Sequence, residues 1–201
     1  MNNIKFWDDQ ILKWEHDQYD LLPKLGLFSG VQNVQQEAFK VMLPILKNCS
    51  VVEYGCGTGR LMAPILDAGA AKYIGVDSST TAIQTAQNRV TQAMAHKVDL
   101  ICSPIAQMDP IPMDFSFSLF LLDWVNPQEL IKLSAPLFLH SFRSATHPAS
   151  LFSKVATTRY GASYKPAVYS NEDLKEKMNR TRIKVHESPK TGAVRFIHNL
   201  L

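Results

Sequence analysis

The spacing of apolar positions changes along this chain. Near its start, Phe6, Trp7, Ile11 and Trp14 recur at helical intervals and predict a short amphipathic helix. Gly26 and Gly30 mark a loop after it. A second helix is expected over residues 31–46, with Val34, Phe39, Val41, Met42, Ile45 and Leu46 as apolar candidates, and with Pro44 kinking it or ending it early. From residue 50 onwards, short apolar runs alternate with helical stretches. The runs at 50–54, 72–76, 98–102, 115–122 and 137–142 read as strands. The stretches at 60–68 and 79–96 read as helices, and Gly69 is a plausible stop for the first. Asn126 and Pro127 look like the cap and first-turn proline of another helix.

The last fifty or so residues differ. Residues 144–169 are rich in Ser, Thr and Ala and read as a long lid-like or substrate loop. Ser170-Asn-Glu-Asp173 is a capping-box-like start for a helix to about residue 179. Residues 182–186 and 193–201 then read as two strands joined by Ser188-Pro-Lys-Thr-Gly192. Alternating strands and helices predict a parallel sheet covered on both faces. The final pair predicts an antiparallel hairpin at its edge.

Composition adds limits. A chain of 201 residues, 46% hydrophobic and 19% charged, fits one domain that buries a core without disulfides or metal. The net charge of +3 is spread out, and no block of like charges suggests a nucleic-acid arm or a membrane patch. Cys49, Cys56 and Cys102 are odd in number and fit no zinc spacing. They read as reduced thiols of a cytoplasmic protein. The first ten residues carry Asp8 and Asp9 and no apolar core, unlike a secretory signal. The longest apolar runs, such as 118–125, are too short to span a bilayer.

The segment that carries chemistry is Val51-Val-Glu-Tyr-Gly-Cys-Gly-Thr-Gly-Arg60. A buried strand ends in glycines, which let backbone turn sharply and approach a ligand closely. In such sheets ligands bind at the carboxyl ends of the strands. A dinucleotide site wants G-x-G-x-x-G, with pyrophosphate on the following helix. Here glycines stand at 55, 57 and 59, and Arg60 holds the third dinucleotide place. Glu53, just ahead of the loop, suits a cationic ligand such as the amino-bearing arm of a sulfonium, and suits pyrophosphate poorly. A nicotinamide dehydrogenase is therefore the disfavoured rival.

With Glu53, Gly55, Gly57 and Gly59 in this order, the sequence resembles the class I S-adenosylmethionine-dependent methyltransferases, over roughly residues 50–142. Gly75-Val-Asp77 matches their second motif, and the resemblance implies that Asp77 accepts both ribose hydroxyls. It further implies cofactor contacts from Tyr54, Cys56, Ser78 and Leu122. Ser103, Pro104 or Ile105 would lie against the adenine, although this chain lacks the family's acid at that place. Tyr19, and Trp14 beside it, would close over the cofactor, while Phe6 and Trp7 are read as packing. The expected fold is α/β: a Rossmann-like, doubly wound, mostly parallel seven-stranded sheet with a C-terminal antiparallel hairpin and N-terminal helices. The expected division is an N-terminal helical cap at 1–48, a cofactor-binding core at 50–143 and a lid-like segment with the hairpin at 144–201.

Methyl transfer from a sulfonium is an in-line displacement, so the protein mainly aligns the reactants in a dry pocket. A general base is needed only if the acceptor must lose a proton. His140, at the end of the fifth expected strand, is the first candidate, with an ordinary strand-end histidine as its alternative. Asp123 is the second, to orient a substrate or to cap a turn. Trp124, His147 and Tyr160 are the candidate acceptor contacts. No metal site stands out. The expected reaction is methyl transfer to an oxygen or nitrogen of a small molecule, yielding S-adenosylhomocysteine, by a monomer or homodimer without nucleic-acid or membrane partners. Two alternatives stay open. One is a protein or RNA acceptor reached along Arg143, Lys154, Arg159 and Lys165. The other is a non-catalytic cofactor-binding protein.

Overall fold

The computed structural model describes residues 3–21, 30–147, 166–179 and 182–200. Seven strands form one sheet: β1 Ser50–Tyr54, β2 Lys72–Asp77, β3 Val98–Cys102, β4 Phe115–Ser118, β5 Leu137–Arg143, β6 Lys184–His186 and β7 Val194–His198. Their order is β3-β2-β1-β4-β5-β7-β6. Strand β7 runs antiparallel to both its neighbours, and the other six share one direction. The doubly wound sheet with a terminal hairpin is thus as expected.

Strand alternation feeds two cores. Val51, Tyr73, Phe115, Phe117 and Leu139 join the apolar stripe Val34, Ala38 and Met42 of the helix Gly30–Met42 on one face. Val52, Tyr54, Val76, Phe138 and Phe142 pack with Leu130 and Leu174 on the other. We number the helices α1 Asn3–His16, α2 Gly30–Met42, α3 Met62–Asp67, α4 Thr80–Gln87, α5 Pro127–Leu133 and α6 Asn171–Met178. Pro44 ends α2 rather than kinking it: the chain tightens into a 3₁₀ turn at Leu43–Ile45. Asn126 and Ser170 cap α5 and α6 through their side chains, as their positions suggested.

Several elements are shorter than the pattern predicts, and two of these have a clear local cause. Helix α4 stops at Gln87 instead of reaching residue 96. Asn88 then begins a run containing β-branched Val90 and Thr91, which favours turns over continued helix. Strand β4 stops at Ser118 instead of residue 122. Phe120 adopts a left-handed conformation (φ 63°), and its N–H donates to Ser141 Oγ at 2.6 Å. A bulky residue held there is a strained position of the kind that clusters at functional sites. Here the kink turns the following residues across the carboxyl edge of the sheet.

Candidate active site

A cavity of about 340 Å³ lies at the carboxyl edge of the sheet. Its floor is the turn after β1. Gly55, Gly57 and Gly59 all have positive φ (74°, 53° and 73°). Two of them have distinct spatial reasons to lack a side chain. A Cβ on Gly59 would stand 3.0 Å from Ala86 Cβ, so this glycine sets the approach of α4. A Cβ on Gly57 would meet nothing nearer than Ile11 Cδ1 at 4.0 Å. It would project into the cavity, and its absence leaves bare backbone there.

Two carboxyl groups flank this turn, Glu53 buried and Asp77 half-buried. Asp77 ends β2 and takes the Gly57 N–H on Oδ2 (2.8 Å) and the Ser79 N–H on Oδ1 (2.9 Å). It therefore ties the glycine loop to the start of α4. Burial raises its carboxyl above the usual range, against the pull of those amides. Glu53 lies opposite Gly75 in the β1–β2 register and is 4% exposed. Tyr73 donates to its Oε2 at 2.5 Å. Burial pushes the Glu53 carboxyl up to about 8, and the nearby Asp77 adds to that.

The roof is α1. Trp7 and Trp14 line the cavity with their rings at 89° to each other. Trp7 meets Trp124 at 5.3 Å, again at 89°, and Phe6 stacks on Trp124 at 6.0 Å. Two carboxylates fasten this helix down. Asp8 Oδ1 accepts from Ser79 Oγ (2.7 Å) and the Thr81 N–H (3.2 Å) at the start of α4. Glu15 Oε1 accepts from Arg60 Nε (2.5 Å) and Arg89 (2.7 Å). Beyond α1 a π-helical turn, Asp17–Leu21, brings the Tyr19 ring under the Arg60 guanidinium, 3.9 Å from the ring centroid. Burial raises the Tyr19 phenol well above its ordinary value.

The structure gathers most of the expected cofactor residues around one space. Tyr19, Glu53, Gly55, Cys56, Gly57, Asp77, Ser78, Ser103, Pro104 and Ile105 all line it, and so does Trp124, an expected acceptor contact. Gly59 acts one layer back, through α4. Four expectations need correction. Tyr54 points to the opposite face, where its hydroxyl donates to the Leu133 carbonyl at 2.9 Å. Leu122 is fully buried in the second core, and Leu121 takes its place at the cavity because the chain kinks at Phe120. Asp123 is in a buried ion pair with Arg143 (2.6 Å) and is not on the cavity wall. Burial outweighs that pairing and raises its carboxyl to about 6.

His140 is the fourth correction. It sits within β5 rather than at its end, with no exposed surface, between Ser118 Oγ (Nδ1, 2.9 Å) and Ser134 Oγ (Nε2, 2.8 Å). It does not line the cavity. Burial holds its ring value down at about 3, so the neutral ring is the folded form. The unfolded chain takes up a proton near pH 6.5 and the folded one does not. Stability from this site is whole above that pH and is lost as pH falls. We expect His140→Asn to lower the melting temperature at pH 7.5 and to leave turnover per folded molecule within a few-fold of wild type. The stability gap should narrow as pH falls to 5. A turnover loss of a hundredfold in a folded variant would restore His140 as a base.

Among the remaining expectations, His147 stays off the cavity wall. Tyr160, with Lys154, Arg159 and Lys165, lies outside the described residues. Other residues were missed. Helical spacing predicts packing for Trp7, and it both packs and lines the cavity. Arg60, a misfit to the dinucleotide pattern, lines the cavity as well. Glu129, in the first turn of α5, carried no motif at all.

Comparison with known proteins agrees with this geometry. Residues 51–138 match the family model described as a methyltransferase domain. No curated protein matches the sequence. Among solved structures, magnesium protoporphyrin IX methyltransferase of Synechocystis PCC 6803 with bound SAH is 18% identical, at a TM-score of 0.62, over 84% of this chain and 81% of that one. A protein of Thermotoga maritima described as a possible histamine N-methyltransferase is 15% identical, at a TM-score of 0.67, over 97% of each chain. A chain of the Haloferax volcanii complex containing the Trm112 methyltransferase activator is 12% identical, at a TM-score of 0.69, over 96% of each.

Proposed function

We infer that this chain is a class I S-adenosylmethionine-dependent methyltransferase, and we propose that its methyl acceptor is an oxygen or nitrogen of a small molecule. The residues present fit the cofactor. The bare backbone at Gly57 leaves room for a ligand, Asp77 offers a carboxylate to the ribose hydroxyls, and Glu53 offers one to the cationic arm. Ser103, Pro104 and Ile105 provide the wall for the base. S-adenosylmethionine supplies a sulfonium methyl open to in-line displacement.

The chain contributes alignment and dryness. Trp7, Trp124 and Phe120 wall the space beyond the glycine loop with apolar surface. Holding the reactants in line there accounts for up to roughly 7–11 kcal/mol of a barrier. No histidine lines the cavity among the described residues, and an acceptor that need not lose a proton during the displacement itself suits it well: a neutral amine attacks through its lone pair and sheds its proton to solvent afterwards.

The enclosure carries this reading: α1 roofs a space of about 340 Å³, within the range of small-ligand sites. The test is calorimetric titration with S-adenosylmethionine and S-adenosylhomocysteine, then incubation of methyl-labelled cofactor with a metabolite extract, total protein and total RNA. We expect binding of both compounds and label in the small-molecule fraction. Absence of binding, or label confined to protein or RNA, would overturn the proposal.

A further inference from the structure

Four carboxylates line the cavity: Glu15, Glu53, Asp77 and Glu129. Three are already engaged. Glu15 holds Arg60 and Arg89, Glu53 holds Tyr73, and Asp77 holds two backbone amides. Glu129 alone makes no side-chain hydrogen bond or ion pair among the described residues. Its position makes this notable. Asn126 caps α5, so Glu129 stands third in the helix, where a glutamate ordinarily reaches back to the N–H of the capping residue. Here Glu129 makes no such bond and stands half-buried on the cavity wall, where a ligand's donor can replace water.

The topology says which part of the ligand. Asp77 ends β2, and β3 is the next strand outward. A ribose held on Asp77 directs its base over the end of β3, against Ser103, Pro104 and Ile105. That stretch offers no carboxylate, and Ser103 Oγ donates to its neighbour's carbonyl at 3.3 Å. Helix α5 packs on the 3₁₀ turn Ile105–Gln107, which brings Glu129 to the same end of the cavity. Adenine presents there an amine that donates and a ring nitrogen that accepts. Glu129 offers the acceptor. Asn126, whose Oδ1 is taken by the Gln128 N–H, still has amide hydrogens to give.

We propose that Glu129 reads the exocyclic amine of the cofactor's adenine and so selects adenosyl over inosyl cofactors. This rests on the reading of Asp77 as the ribose anchor. The test compares S-adenosylhomocysteine with S-inosylhomocysteine, in which a keto oxygen replaces the amine. Wild type should bind the adenosyl compound about 30-fold or more tightly, because the keto oxygen faces a carboxylate. Glu129→Gln, whose amide can donate to that oxygen, should shrink the ratio by about tenfold or more. The melting temperature of the variant confirms its fold. An unchanged ratio in Glu129→Gln overturns the assignment, including the case where the variant instead raises KM for the methyl acceptor. If wild type binds neither compound, the cofactor reading itself falls, and this assignment with it.

Discussion

Asp77→Ala should lose two to four decades of affinity for S-adenosylhomocysteine. A charge-assisted hydrogen bond contributes about 1.5–3 kcal/mol, and the proposed ribose contact makes two of them. Together they amount to roughly 3–6 kcal/mol, at about 1.4 kcal/mol per decade. The substitution also releases the Gly57 and Ser79 N–H groups, so the glycine loop and the start of α4 lose their shared anchor. Asn in place of Asp77 should fare little better than Ala. One of its two terminal atoms becomes an NH₂, and either orientation sets that donor against a backbone donor. Calorimetry measures the loss, and the melting temperature shows that the variants are folded. Undiminished affinity in a folded Asp77→Ala would remove this residue from the cofactor site.

Glu53→Gln should abolish a pH dependence of cofactor binding. With its carboxyl near 8, Glu53 is about nine-tenths protonated in the free protein at pH 7. A cationic arm prefers the carboxylate, so binding should expel close to one proton at that pH. Affinity should rise nearly tenfold per pH unit between pH 6 and 7.5. It should level off near pH 8, where the ligand's own ammonium begins to lose its charge. Titrations in buffers of different ionisation enthalpy count the proton directly. Glu53→Gln should bind more weakly above pH 7, with a flat profile and no proton released. Stability carries the opposite sign. The folded value lies above the unfolded 4.5, so the fold favours the protonated acid. Stability from this site is greatest below pH 4.5 and is lost as pH climbs towards 8. The cofactor-free Gln variant should therefore gain in melting temperature relative to wild type across that window. A wild-type profile flat from pH 6 to 7.5 would mean that Glu53 does not meet the cation.

The parts legible in the sequence share a physical basis. Strands β1 and β3 were readable to the residue because both are short β-rich runs bounded by turn signals. The glycine loop and Asp77 were readable because a close backbone approach and the proposed ribose contact each demand particular residue types at fixed offsets. The kink at Phe120 was not readable. Nothing in Ser118-Leu-Phe-Leu-Leu announces a left-handed residue, since the bond from the Phe120 N–H to Ser141 comes from β5. That single misjudged turn moved Leu122 from cavity to core and put Leu121 in its place. His140 was misplaced for a similar reason. Its two serine partners lie 22 and 6 residues away, beyond any local pattern. Trp7 illustrates a false choice, because helical spacing could not show that a packed stripe also forms a ligand's ceiling.

That ceiling is made of the first residues of the chain. Helix α1 contributes Trp7, Ile11 and Trp14 to the cavity, and Asp8 and Glu15 pin it to α4 and the glycine loop. Release of those pins would lift the roof from a ligand beneath it. Ligand exchange and hydrogen exchange of the α1 amides should then rise together when the pins are weakened. The same arrangement bears on handling the protein. A chain trimmed to begin at residue 30 would keep every glycine and acid of the motif and lose the roof. Its failure to bind would mimic a broken motif, although Glu53, Gly57 and Asp77 were all intact.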